Sequence, residues 1–250
     1  MFEHTIFINL AERVDRLEHV IQELAKIGIH DAMRLDALKD DSGAIGCTLS
    51  HISALTYAKE HQWDKVFICE DDITFTNPEK LLASVEHFSS LALTWDVLIV
   101  GGNNCPPYTL VDNWCCKITN CQTTTGYIIQ SHYYDVLIEN FKESVSHLQQ
   151  DWSKRNQNIY ALDMYWKSLQ KKDQWYMLLP LTVTQYINYS NIEKKIANYD
   201  NLMLDMEKKW LFQSLSIQSR ETQHQRNLQL VSQKKEKENS SRNFKKLFDI

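Results

Sequence analysis

Short apolar runs alternate with amphipathic ones through the first half of this chain, and that alternation narrows the choice of fold more than any other feature. Thr5–Leu10 (TIFINL), Lys65–Cys69 (KVFIC) and Trp95–Val100 (WDVLIV) are strand-length and almost continuously apolar, the pattern of strands covered on both faces. Between them Val14, Leu17, Ile21, Leu24 and Ile27 recur at helical spacing over Arg13–Ile27, and Gly28 ends the run. Leu49, Ile52 and Leu55 share one face of a helix expected over Thr48–His61. Pro78 precedes a third helix over Glu79–Leu91, where the first turn tolerates proline. Met33–Leu38 adds a short strand. The alternation predicts an α/β fold, an open and mostly parallel sheet with helices on both faces. Ligands of such sheets sit at the carboxyl ends of the strands, so polar residues just after strands carry the functional interest.

The second half is less regular. Asn103–Gln122 reads as a long loop containing Pro106-Pro107, Gly126–Gln130 as a strand, Tyr133–Phe141 and Ile159–Gln170 as helices, and Trp175–Leu179 as a strand. From Glu193 the chain turns polar, with exposed helices giving way to disorder after about Ser232. The expected division is a domain over residues 1–206 and a basic tail over 207–250. Of the net charge of −5, Lys208–Ile250 carries ten Lys/Arg against four Asp/Glu, which leaves −11 on the rest. An acidic body excludes nucleic acid as the natural partner and suits a protein that holds a cation. The tail reads as a solvated face, with docking or homo-oligomerisation as the minority reading. No basic leader precedes the first strand and no run reaches the roughly 20 apolar residues of a membrane span, so the expectation is a cytoplasmic chain. Six cysteines include no C-x-x-C pair, so they give no zinc signature. The four between Cys105 and Cys121 could form a local disulfide, though reduced thiols suit a cytoplasmic chain better.

Four segments could carry chemistry. Glu70-Asp71-Asp72 follows a buried strand directly. Alternation along an extended segment would turn Glu70 and Asp72 the same way. Carboxylates packed together need a compensating cation or donors. A hard divalent ion takes carboxylate oxygens and leaves room for phosphates, whereas the bland reading is a solvated acidic turn. Gly46-Cys47-Thr48-Leu49-Ser50-His51 is expected at a helix start, where free N–H groups favour anions. Ser50 and His51 could bond a nucleotide there, or serve as a cap and a packed core residue. Asn9-Leu10 with Arg13, Asp15 and Arg16 forms a polar turn at the tip of the first strand, either a nucleotide perch or surface ion pairs. Asp163 lies amid apolar and aromatic residues, Ala161 to Trp166. That setting would raise its pKa as a general base requires; a helix N-terminal carboxylate is the alternative.

Taken in order, these segments resemble glycosyltransferase family 25, which contains lipooligosaccharide galactosyltransferases and the procollagen galactosyltransferase domain. The resemblance runs through Phe7-Ile8-Asn9-Leu10-x-x-Arg13-x-Asp15-Arg16, Arg34-Leu35-Asp36-Ala37, Gly46 to His51, Phe67 to Ile73, Thr125 to Ile129 and Ala161-Leu162-Asp163. It covers roughly Thr5 to Asn191. It implies a GT-A-like, Rossmann-related sandwich and an inverting hexosyl transfer. The donor it implies is a UDP-sugar, galactose first with glucose or N-acetylglucosamine next, and the acceptor a glycan or hydroxylated-lysine protein. It further implies Mn²⁺ or Mg²⁺ on a DxD-like Glu70-x-Asp72 motif, with Asp72 as principal ligand. Asn9, Leu10, Arg13, Arg16, Asp36, Ser50, His51 and Glu70 would bind the nucleotide. Asp163 would be the base, with Asp71 as its alternate. The Asn103–Gln122 segment has no counterpart in the motif set and is expected to shape the acceptor site. Two rivals stand beside this reading: a metal-dependent hydrolase, and a degenerate transferase that binds sugar nucleotide without turnover.

Overall fold

The computed structural model describes residues 1–151, 153–190 and 195–208. Met1–Glu207 forms one compact unit. The expected behaviour of the tail beyond residue 208 lies outside the described residues.

The strands form where the apolar runs said they would. In chain order the elements begin β1 (Thr5–Asn9), α1 (Val14–Lys26), β2 (Met33–Asp36), α2 (Gly43–Glu60), β3 (Lys65–Glu70), β4 (Ile73–Phe75) and α3 (Pro78–Ser90). There follow β5 (Val97–Asn104), β6 (Tyr108–Leu110), β7 (Cys115–Ile118), β8 (Cys121–Gln130), α4 (Tyr134–Gln150), α5 (Lys154–Tyr160), α6 (Leu162–Tyr165) and α7 (Lys167–Gln170). The last are β9 (Trp175–Leu178), β10 (Val183–Gln185), β11 (Asn188–Ser190), β12 (Lys195–Ala197) and α8 (Asp200–Met203).

Eight strands make the main sheet, in the order β2-β1-β3-β8-β5-β9-β7-β6. Parallel ladders join β1 to β2, β1 to β3 and β5 to β9, while β8 and β7 run against their neighbours. The sheet is therefore mixed, with most strands pointing one way. The two-residue period of the strands divides the core. Ile6, Ile8, Val66, Ile68, Val97, Ile99, Tyr127 and Ile129 pack with Ala54, Leu55, Leu137 and Phe141 of α2 and α4. Phe7, Phe67, Cys69, Leu98 and Ile128 pack on the other side with Val20, Leu24, Leu81 and Phe88 of α1 and α3. Helices thus cover both faces.

Three sequence readings need correction. The expected loop at Asn103–Gln122 is largely strand. β5 runs on to Asn104, β6 and β7 pair as a hairpin, and β7 also pairs with β9. Polar and proline residues hid strands whose backbone groups are satisfied by distant partners, and whose Cys115, Cys116 and Ile118 are buried. The helix expected over Ile159–Gln170 is three short helices, interrupted at Ala161, whose backbone is extended (ψ 146°), and at Trp166, whose buried indole N–H donates to the carbonyl of Cys121 (2.9 Å). Finally, α2 starts at Gly43, not Thr48. All six cysteines are free thiols, and no described helix is long and apolar enough to cross a membrane.

Candidate active site

A cleft of about 1210 Å³ opens at the carboxyl ends of β1, β2 and β3. Its wall takes Leu10, Arg13 and Arg16 after β1, Ala37–Ala44 after β2, and Glu70–Asp72 after β3. Gly46, Cys47 and Ser50 of α2, Thr123 and Thr124 of β8, Asp163 of α6 and Gln185–Tyr186 complete it.

The acidic triplet does not alternate as an extended strand would, because β3 ends at Glu70 and Asp71-Asp72 form a turn. One Arg16 guanidinium nitrogen reaches both turn carboxylates, at 3.0 Å from Asp71 Oδ1 and 2.9 Å from Asp72 Oδ2. Asn9 Nδ2 donates to Asp71 Oδ2 (2.8 Å) from behind the cleft wall. Both oxygens of Asp71 are therefore engaged. Asp72 Oδ1 is buried and has no hydrogen-bond partner. Burial, joined by the negative charges of Glu70 and Asp71 and opposed by Arg16, pushes the Asp72 pKa up to about 8. Burial also raises Asp71, against Arg16 and Asn9. Glu70 goes the other way: burial would raise it, but the neighbouring His51, the Thr124 hydroxyl and Arg16 together hold it below its ordinary value. Three carboxylates against one guanidinium leave this corner short of positive charge, and the open Asp72 oxygen fits a cation ligand.

The arginines do less for a ligand than the sequence implied. Arg13 forks onto Asp15 (2.8 and 2.9 Å), and both arginines donate to the carbonyl of Tyr189 in β11 (3.1 and 3.2 Å). Arg16 is chiefly a countercharge for the triplet. Asp36 points away: its carboxylate pairs with Arg34, is 79% exposed, and is absent from the cleft wall. Ala37 and Leu38 line the cleft in its place.

The helix-start reading moves by a turn. The first turn of α2 is Gly43–Gly46, so any anion-directed N–H groups belong there and not at Thr48. Ser50 spends its hydroxyl on the Gly46 carbonyl (2.7 Å) and on the Leu38 amide (2.8 Å). That hydroxyl ties α2 to the loop after β2, and Gly46 permits the contact, since a Cβ there would sit 2.6 Å from the Leu38 oxygen. His51 is wholly buried behind Glu70, with Nδ1 bonded to the Tyr127 hydroxyl (3.0 Å).

Asp163, in the first turn of α6, lines the same cleft as the triplet. Burial raises its pKa, opposed by the Thr123 amide that donates to Oδ2 (2.9 Å) and by Lys167. Thr123 holds a left-handed φ of 67°, a costly conformation for a β-branched residue. It turns its N–H onto Asp163 while its hydroxyl accepts the Asn103 amide (3.2 Å). Thr124, next along, donates to Glu70. The sequence reading missed both threonines, which lie just beyond the segment taken for a loop. Nothing between Asn103 and Gln122 lines this cleft.

A nucleotide-sized cleft at strand tips, walled by a buried acidic turn and a second isolated carboxylate, has the layout of a group-transfer site. Residues 41–99 match glycosyltransferase family 25 (LPS biosynthesis protein). The matched stretch contains α2, β3 and the Glu70–Asp72 turn. The family 25 match supports a glycosyltransferase. No curated protein matches the chain. Among solved structures, a glycosyltransferase involved in glycosylation of the major capsid of PBCV-1 aligns at 7% identity and a TM-score of 0.39, over 70% of this chain and 92% of its own. A Drosophila β-1,4-galactosyltransferase 7 variant, in complex with manganese, UDP-Gal and xylobiose, aligns at 11% identity and a TM-score of 0.40, over 79% of this chain and 76% of its own. At such scores the likeness says nothing of donor or acceptor.

Proposed function

We propose that this protein is an inverting, GT-A-like glycosyltransferase that moves a hexose from a UDP-sugar to a hydroxyl acceptor, a glycan or a collagen-like protein. Galactose is the first choice of sugar. The observation that carries the reading is the buried Asp71-Asp72 turn with its unpartnered Asp72 oxygen, set in the same cleft as Asp163.

Asp72 and Glu70 would hold a divalent ion, Mn²⁺ or Mg²⁺, which when bound neutralises the charge that develops on the departing diphosphate. Arg16 holds both carboxylates of the turn in place. The N–H groups of Gly43 and Ala44 at the start of α2 would add donors for phosphate oxygens, those of Ile45 and Gly46 being bonded to the Ser42 carbonyl. Leu10, Ala37 and Leu38 offer an apolar wall for uracil. Asp163, held by the Thr123 amide and raised by burial, takes the acceptor proton as the oxygen attacks the anomeric carbon.

A thermal-shift screen of nucleotide sugars with and without Mn²⁺ tests this. UDP-sugars with Mn²⁺ should stabilise the chain, by about 2.7 kcal/mol at 100-fold above Kd. UDP release should follow. Binding without release on any acceptor would make it a degenerate transferase, and indifference to UDP would favour a hydrolase.

A further inference from the structure

Beside the acidic turn, on the inner wall of the same cleft, lies a donor set of a different chemistry. Cys47 and His51 are four apart on α2 and so share a face. Glu70 reaches them from the tip of β3. The Cys47 sulfur, a His51 nitrogen and a Glu70 oxygen all lie within 4.8 Å of one another. Glu70 Oε1 is 3.5 Å from His51 Nε2 and 4.0 Å from Cys47 Sγ. His51 is completely buried, and its Nε2 faces only as far as the Glu70 carboxylate, at 3.5 Å, without closing to a hydrogen bond. A buried imidazole nitrogen without a hydrogen bond is costly unless something occupies that position.

The surroundings are those of ligands held in place. The Tyr127 hydroxyl bonds His51 Nδ1 (3.0 Å), which leaves the Nε2 lone pair free for coordination once Nδ1 carries the proton. Thr124 donates to the same Glu70 oxygen that faces the sulfur and imidazole. Supporting hydrogen bonds of this kind orient ligating imidazoles and carboxylates. Zinc-like bond lengths in a tetrahedron put donor atoms about 3.4–3.6 Å apart. The Glu70–His51 spacing already meets that, and the others need movements of about 1 Å or less.

We propose that Cys47, His51 and Glu70 form a binding site for a borderline-soft divalent cation, Zn²⁺ foremost, which shares only Glu70 with the hard-ion position at Asp72. Thiolate and imidazole donors select such an ion over Mg²⁺ or Mn²⁺. Binding replaces the S–H bond of Cys47 with an S–metal bond, and the proton leaves to solvent. Cys47 and Glu70 line the cleft, so the fourth position opens toward it, for water or a substrate oxygen. The sequence shows no zinc signature here because Glu70 lies 23 residues from Cys47 and joins it only through the fold.

Co²⁺ titration of the chelator-stripped full-length protein tests the site, without nucleotide. The expected result is a near-ultraviolet thiolate-to-cobalt charge-transfer band that saturates at one equivalent, with Zn²⁺ displacing the Co²⁺. Cys47→Ser should abolish the band and lower Zn²⁺ affinity, read against a chromophoric chelator, by about 100-fold, the upper end of what loss of a merely supporting group costs. His51→Gln, a second variant should Cys47→Ser fail to fold, should weaken Co²⁺ binding comparably. Asp72→Asn should keep the band. Absence of the band from the folded wild type, its survival in Cys47→Ser, or its loss in Asp72→Asn alone overturns the site. None of these outcomes touches the UDP-sugar reading, which is judged by donor binding and UDP release.

Discussion

Asp72→Asn should cost about 10²–10³-fold in UDP release from the preferred UDP-sugar, the usual loss when one stabiliser of developing charge is removed from a closed site, and should remove the dependence of donor binding on Mn²⁺. The same substitution should make the metal-free protein more stable. Burial has pushed Asp72 up to about 8, against about 3.9 for an ordinary aspartate. The folded chain therefore holds a proton that the unfolded chain releases. That contribution to stability is full below about pH 4 and is lost as pH rises through 8. Asparagine keeps an acceptor for Arg16 and has no charge to bury. With chelator present, urea melts at pH 8 should show the variant ahead by on the order of a few kcal/mol, at about 1.4 kcal/mol for each unit of displacement. At pH 4 the two proteins should converge. Asp163 is raised in both proteins and cancels from the difference. Wild-type turnover in Asp72→Asn, or a variant less stable at pH 8, would remove Asp72 from the role given to it.

Asp163→Asn should divide the kinetics differently. A positioned base contributes about 10²–10⁴-fold, so kcat for sugar transfer to acceptor or water, read as UDP released, should fall by that factor. UDP affinity should not change, because Asp163 is expected on the acceptor side and the amide oxygen can still accept the Thr123 N–H. The opposite pattern, weaker UDP binding with kcat intact, would make Asp163 a donor-binding residue and turn attention to Asp71. Asp71 is poorly placed for proton transfer, since Asn9 and Arg16 occupy its oxygens.

β1 and β3 at the cleft were legible because they are buried on both faces and so read as unbroken apolar runs. Glu70-Asp71-Asp72 was legible for the same reason, three carboxylates following such a run being hard to explain otherwise. What the sequence hid was long-range. β6 and β7 are polar or proline-flanked strands that exist through pairing with each other and with β9. The start of α2 was placed a turn late because Gly43 and Gly46 are poor helix formers; Gly46 is needed where the helix meets Leu38. Arg16 reads as a possible nucleotide ligand in one dimension, and only the fold brings it 2.9 Å from Asp72. Thr123 could have been found by no periodicity: its left-handed backbone is imposed by the bonds it makes to Asn103 and Asp163.

The central claim is that carboxylates at the tip of β3 hold a divalent ion that grips the diphosphate of the donor. Anomalous scattering from a crystal grown with Mn²⁺ and UDP tests it most directly. The account predicts a manganese peak bonded to Asp72 Oδ1 and to oxygens of both phosphates, with uracil against Leu10 and Leu38. UDP seated in the cleft with no metal peak, or manganese bound without touching Asp72, would contradict it.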